Sequence, residues 1–341
     1  MVHHFSWFER ASIALVLLCL MGVGGAMILH PSTGVTTAPK AILDLSARTH
    51  AEILASEFDG LTTAAGHPDF SDTERRPSVR LLEGTFARMG YSLDAVKSGG
   101  IGVPRLLLAS IPGDMDELAE PKDRKALFLS SVLPLVLEVN DSIRADRVRL
   151  ENIRNLVQDH QRVPALERLW LTTIAERYGR PETDFKGLLS RMDVVPPSLA
   201  LAQAAVESGW GTSRFARDGN ALFGQWTMAR SDKGLVPQGR DKGKTHRIKA
   251  FDRLIDSVAG YMHNLNTHRA YGDFRRQRST QRRTGGALSG HDLAGTLGKY
   301  SERGQHYIDT LRRVIDANDL RRLDDAQLRG PVVTALLTRG S

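Results

Sequence analysis

A single cysteine, Cys19, stands among 341 residues, so neither an intrachain disulfide nor a cysteine-built zinc site is open to this chain. Glycine signatures for phosphate are missing as well. There is no Walker loop and no Gly-x-Gly-x-x-Gly after a strand-like run, which removes the usual nucleotide cradles. The histidines are scattered, and His263 and His268 lie off one helical face, so no metal and no cofactor is expected. The net charge is +7, yet neither a helix-turn-helix nor an aromatic-basic sheet pattern accompanies it, and no nucleic acid partner is expected. Anionic lipid and anionic cell-wall polymer are the partners left. No internal repeat occurs. One absence is local: no glutamate lies between Glu207 and Glu302.

What is present begins with "ASIALVLLCLMGVGGAMIL", Ala11 to Leu29, which carries no charge. At 1.5 Å per residue it reaches roughly 28 Å, about a bilayer's hydrocarbon thickness. His30 and Pro31 follow it without an Ala-x-Ala site, so the run reads as an uncleaved inner-membrane anchor, with the rest of the chain facing the periplasm. Cys19 is one more apolar residue of that span. Five parts follow: the anchor over 1–30, a Pro/Thr/Ser/Gly-rich linker over 31–44, a mixed α/β module over 45–160, a main domain over 161–322 and a frayed tail over 323–341.

Within the module, "VPRLLLASIP" is a short apolar run bounded by prolines and reads as a strand. Lys122 to Gln161 forms one long helical pattern with Pro134 as a kink point. Ile143, Leu150, Ile153 and Val157 share one face, and Arg144, Arg147, Arg149 and Arg154 share a solvated opposite face. Short helices are expected over 165–178, 182–192, 197–208, 253–267, 292–299 and 305–318. Between Phe223 and Phe251 the pattern turns rich in glycine and charge, with two strands, near 223–228 and 246–251, forming a small lobe. "FRRQRSTQRR" (Phe274 to Arg283) reads as a solvated helix end and loop.

The most informative stretch is "LAQAAVESGWGTSRFARDGNALFGQW", residues 201–226. Pro196 and Pro197 set a first helical turn, alanines allow close packing, and Gly209 ends the helix just after Glu207. A carboxyl in that last turn meets the negative end of the helix dipole and apolar neighbours, and both raise its pKa. A protonated carboxylic acid is what glycosidic cleavage needs, because the leaving oxygen must gain a proton. The alternative from position alone is an ion pair with Arg214 or Arg217. Asn220, Phe223, Gln225 and Trp226 follow within twenty residues, and amides with flat apolar faces suit a sugar-binding cleft.

This stretch resembles the signature of the glucosaminidase family of bacterial peptidoglycan hydrolases, in which a helix ends in Glu-Ser-Gly-Trp-Gly and an Asn-x-Leu-Phe-Gly turn follows. "KALFLSSVLPLVLEVNDSIRADRVRL" and "FDRLIDSVAGYMHNLNTHRAYGDFRRQR" are similar to the Bax-type branch of that family. The resemblance covers roughly residues 100–320. It implies an α+β, mostly α-helical fold: a lysozyme-like helical domain with a small β lobe, preceded by the transmembrane helix and the mixed helical module. It also implies hydrolysis of N-acetylglucosaminyl β-1,4 linkages in peptidoglycan glycan strands. Glu207 matches the catalytic acid. Tyr300, in "GKYSERGQHYIDTL", is the first match to the family's active-site tyrosine, and Tyr307 is a second candidate at the substrate.

The family's second glutamate in the β lobe has no counterpart here. If a second carboxylate acts, it is an aspartate of the lobe, Asp241 being preferred over Asp232. The substrate's own acetamido group is the alternative nucleophile. Two rival functions are a lytic transglycosylase, which leaves anhydromuramic ends, and an inactive membrane-tethered wall-binding protein.

Overall fold

Pro121 opens the longest element, a 38-residue helix, here α3 (Pro121–Gln158), which at 1.5 Å per residue spans about 57 Å. The computed structural model describes residues 77–229, 231–237, 245–285 and 287–333, with side chains to Gly330. The expected anchor, the linker, the first part of the N-terminal module and Asp241 lie outside the described residues. Upstream of α3 come α1 (Val79–Arg88), α2 (Leu93–Lys97) and β1 (Val103–Leu106).

From Leu127 to Asn140 every residue of α3 is buried, so this half has no solvent face. Pro134 sits inside without ending the helix. Among the described residues α3 alone is long and apolar enough to cross a bilayer, but 83% of its apolar window is buried in the fold, which makes it a core helix. Its second half is amphipathic: Ile143, Leu150 and Ile153 are buried as expected, whereas Val157 at the frayed end is exposed. The arginine face is less solvated than expected. Arg147 donates to the carbonyls of Leu189 and Met192, and Arg149 pairs with Glu167 while lying 4.5 Å above the Trp170 ring.

After α4 (Ala165–Tyr178) and α5 (Phe185–Arg191), α6 (Pro197–Ser208) runs through the middle of the helical body, in contact with α3, α10, α11 and the 3-10 turn Leu320–Leu323. Residues 197–205 are all buried, and its alanines let these neighbours approach. The remaining helices are α7 (Arg214–Gly219), α8 (Leu254–Thr267), α9 (Gly272–Arg283), α10 (Gly290–Ala294) and α11 (Gln305–Ala317).

The basic run at 274–283 is not a solvated end. It forms α9, with Arg275 and Arg278 buried. Arg278 donates to the carbonyls of Ser190, Asp193 and Val194, and Arg282 forks onto Asp193. Burial acts to raise the Asp193 carboxyl, but the Arg282 hydrogen bonds and the charges of Arg278, Arg282 and Arg147 outweigh it and hold the pKa below the ordinary value. This cluster fixes the loop that feeds α6.

Two small sheets complete the fold. The lobe holds β2 (Trp226–Thr227), β3 (Gly234–Leu235) and β4 (Arg247–Lys249), antiparallel in the order β2-β4-β3, with Trp226 opposite Ile248 and Gly234 opposite Lys249. The helical majority and small lobe are the expected α+β class. The second sheet was not expected. β5 (Leu328–Val333), placed in the frayed tail by sequence, pairs in parallel with β1, Val103 opposite Leu328. Such a pairing joins segments more than 200 positions apart, so no local pattern announces it.

Candidate active site

Glu207 lies in the last turn of α6, and the chain then leaves the helix abruptly. Gly209, Trp210 and Gly211 take φ of 58°, 58° and 81°, three left-handed residues in succession. Ser208 secures the turn, its Oγ donating to Ala204 O at 2.6 Å and accepting from Gly211 N at 2.9 Å. Gly211 presses on α3, where an added Cβ would lie 3.0 Å from Phe128 Cδ2. Trp210 packs edge-on against Phe128.

The Glu207 carboxyl is half-buried, and Tyr307 on α11 donates to its Oε1 at 2.8 Å. Gln203, one turn earlier on α6, donates from Nε2 to the Tyr307 oxygen at 3.0 Å and accepts the Tyr261 hydroxyl on Oε1 at 2.6 Å. Burial raises the Glu207 pKa, and neither the Tyr307 hydrogen bond nor the charge of Arg303 cancels that rise. Arg214 and Arg217 play no part: the first donates to Val236 O and the second pairs with Asp116.

Glu207 opens onto a cleft of about 1240 Å³ lined by the β lobe, α8 and the 298–303 loop. The lobe and the turn before it contribute Phe223, Gly224, Gln225, Trp226, Asp232 and Lys249, and the helical side contributes His263, Asn264, Tyr271, Lys299, Tyr300 and Arg303. Gly224 has φ of 59°, and a Cβ there would stand 3.5 Å from Glu207 Oε2. The missing side chain keeps that oxygen accessible.

The sequence-expected residues divide. Phe223 and Gln225 line the cleft, Phe223 being buried and stacked on Tyr261 at 3.9 Å. Trp226 is 63% exposed at the rim, stacked on His246. Asn220 is not in the lining. It caps α7 in a left-handed turn and its amide donates to Phe251 O and Asp252 O, tying the lobe's return strand to the helical body. The two tyrosines are placed differently. Tyr300 lines the cleft, but its hydroxyl donates to Phe223 O and its ring stacks on Tyr307; Tyr307, expected at the substrate, is the one on the carboxyl. Asp232 lines the cleft but is held by Thr227 Oγ1 at 2.7 Å and Lys249 Nζ at 3.2 Å, and these partners lower its pKa.

Gln203, Tyr261 and Arg303 escaped the sequence reading. Gln203 had a signal, since it precedes Glu207 by four positions and so shares its helix face. Among the described residues no group of His, Cys, Asp and Glu is arranged to hold a metal ion.

Residues 183–320 match the family described as glucosaminidase, mannosyl-glycoprotein endo-beta-N-acetylglucosaminidase. The catalytic domain of the autolysin Auto from Listeria monocytogenes matches at 18% identity and a TM-score of 0.30, over 51% of this chain and 96% of that one. The protein named bax from Escherichia coli (strain K12) is 34% identical over 227 residues, which are 65% of this chain and 75% of that protein. On that identity and coverage, the chain belongs to the glucosaminidase family, in its Bax-type branch.

Proposed function

We propose that this glycosidase cleaves N-acetylglucosaminyl β-1,4 linkages in peptidoglycan glycan strands, with Glu207 as the general acid. The observation that carries the reading is a carboxyl made hard to ionise by burial at the wall of an open cleft. Glu207 passes its proton to the bridging oxygen as the bond from that oxygen to the anomeric carbon breaks. The lobe's described aspartate is already paired with Lys249. That leaves two candidates for the group that closes on the anomeric carbon: Asp241, or the substrate's acetamido oxygen, whose ring water then opens. Trp226 and Gln225 offer a flat face and an amide to the sugars.

The apolar run at 11–29 supports tethering to the inner membrane with the cleft facing the periplasm, so that glycan near the membrane is the substrate. Purified wall digested with wild type should yield new reducing N-acetylglucosamine ends by mass spectrometry, and Glu207→Gln should yield none. Anhydromuramic ends would assign a lytic transglycosylase instead. Equal fragments from both proteins would refute the catalytic reading.

A further inference from the structure

The hydrogen-bond chain behind Glu207 has a direction. Gln203 has two unlike ends. Its Oε1 takes the Tyr261 hydroxyl hydrogen, so its Nε2, which can only donate, faces the Tyr307 oxygen. That occupies the Tyr307 oxygen as an acceptor and sends the Tyr307 hydrogen onward to Glu207 Oε1. A neutral Glu207 cannot then carry its own hydrogen on Oε1 toward Tyr307 without two hydrogens meeting.

We propose that the Tyr261–Gln203–Tyr307 chain is a positioning device that keeps the acid proton of Glu207 on Oε2, the oxygen on the Gly224 side of the cleft. Gln203 and Tyr261 act through Tyr307 and touch no substrate. All three are fully buried, so the order of donors is set within the protein. Tyr261 is itself fixed by the Phe223 ring stacked on it. The polar groups facing Glu207 come from several elements: Tyr307 from α11, Tyr261 from α8, Tyr271 and Tyr300 from the turns beside it, and Arg303 from the loop before α11. Arg303 is the only cation of the set. The inference rests on Glu207 being the acid.

Tyr261→Phe removes one hydroxyl at nearly constant volume. Gln203 is then free to turn its Oε1 toward Tyr307, whose hydrogen leaves Glu207. A carboxylate that loses a donor is harder to form, so the descending limb of the kcat–pH profile should move up by about one pH unit. The turnover number should fall about tenfold with KM nearly unchanged, because the proton is no longer held at the reacting oxygen. Tyr307→Phe should shift the limb the same way. Gln203→Met, which removes both amide ends, provides a second variant if Tyr261→Phe does not fold, as judged by near-ultraviolet dichroism of the full chain. A wild-type limb and turnover in the folded Tyr261→Phe protein, or a wild-type turnover in Gln203→Met, whose freed Tyr307 oxygen can accept from Glu207 Oε1 while its limb stays near the wild type, overturns the positioning chain, even where Tyr307→Phe shifts both. Activity retained by Glu207→Gln instead overturns the reading beneath it.

Discussion

Asp324 follows the 3-10 turn Leu320–Leu323 and reaches the first turn of α6, where it accepts Ser198 N and Oγ, each at 2.8 Å, and Gly290 N at 3.2 Å. No cation pairs with it among the described residues. Burial outweighs the three donors and lifts its pKa from 3.8 to about 6. The unfolded chain loses this proton near 3.8, whereas the folded chain keeps it until about 6. Between those values the folded state binds more protons, so rising pH erodes stability across the window. A gap of about two pKa units is worth about 3 kcal/mol of stability, fully present below the unfolded value and fully lost above the folded one. Asp324→Asn removes the titration and keeps one acceptor for Ser198. Urea unfolding of the full chain in mild detergent, in steps of about half a pH unit from about 3.5 to 6.5, measures the difference between the two proteins. Other titrations are common to both and cancel. The wild type's advantage should shrink by about 3 kcal/mol as pH rises. A difference that stays flat, or grows with pH, refutes the reasoning.

Three further outcomes follow from contacts described above. Gly211→Ala adds a left-handed alanine and a clash with Phe128 and Ile111, and should cost roughly 2–5 kcal/mol, read as a lowered Tm. Arg278→Met takes this donor from the Val194 and Ser190 carbonyls, leaves Asp193 O to Asn266 alone and weakens the hold on the Asp193 carboxylate, a loss of about 3–5 kcal/mol by chemical denaturation. Trp226→Ala, at an exposed position, should change stability by less than about 0.5 kcal/mol. It should raise KM for glycan about fivefold, the worth of one ring contact of about 1 kcal/mol.

The start and stop of α6 are written in local code, Pro196-Pro197 before it and Gly209 after it, and this made Glu207 legible. The lobe was legible through its shift to glycine and charge, although the two-residue strand β3 is too short to carry an alternation of its own. Roles within the site were harder to read. Tyr300 and Tyr307 differ by seven positions, two helical turns in sequence, yet only the packing of α11 on α6 decides which hydroxyl meets the carboxyl. Asn220 misled for a different reason: an amide beside a cleft looks like a ligand until the left-handed turn it caps is seen. Likewise the arginines of α9 look solvated because composition does not show the carbonyls of the 190–194 loop waiting for them.

The pairing of Val103 with Leu328 bears on when the enzyme can begin to act. A nascent chain cannot complete that two-stranded sheet before residue 328 has left the ribosome, by which time the Glu207 helix is long made. The edge of β1 stays open until then, and β1 is bound through Arg105 to Glu138 and Asp141 of the core helix. Closure of this sheet is thereby deferred until a strand more than 200 positions downstream of β1 has been made.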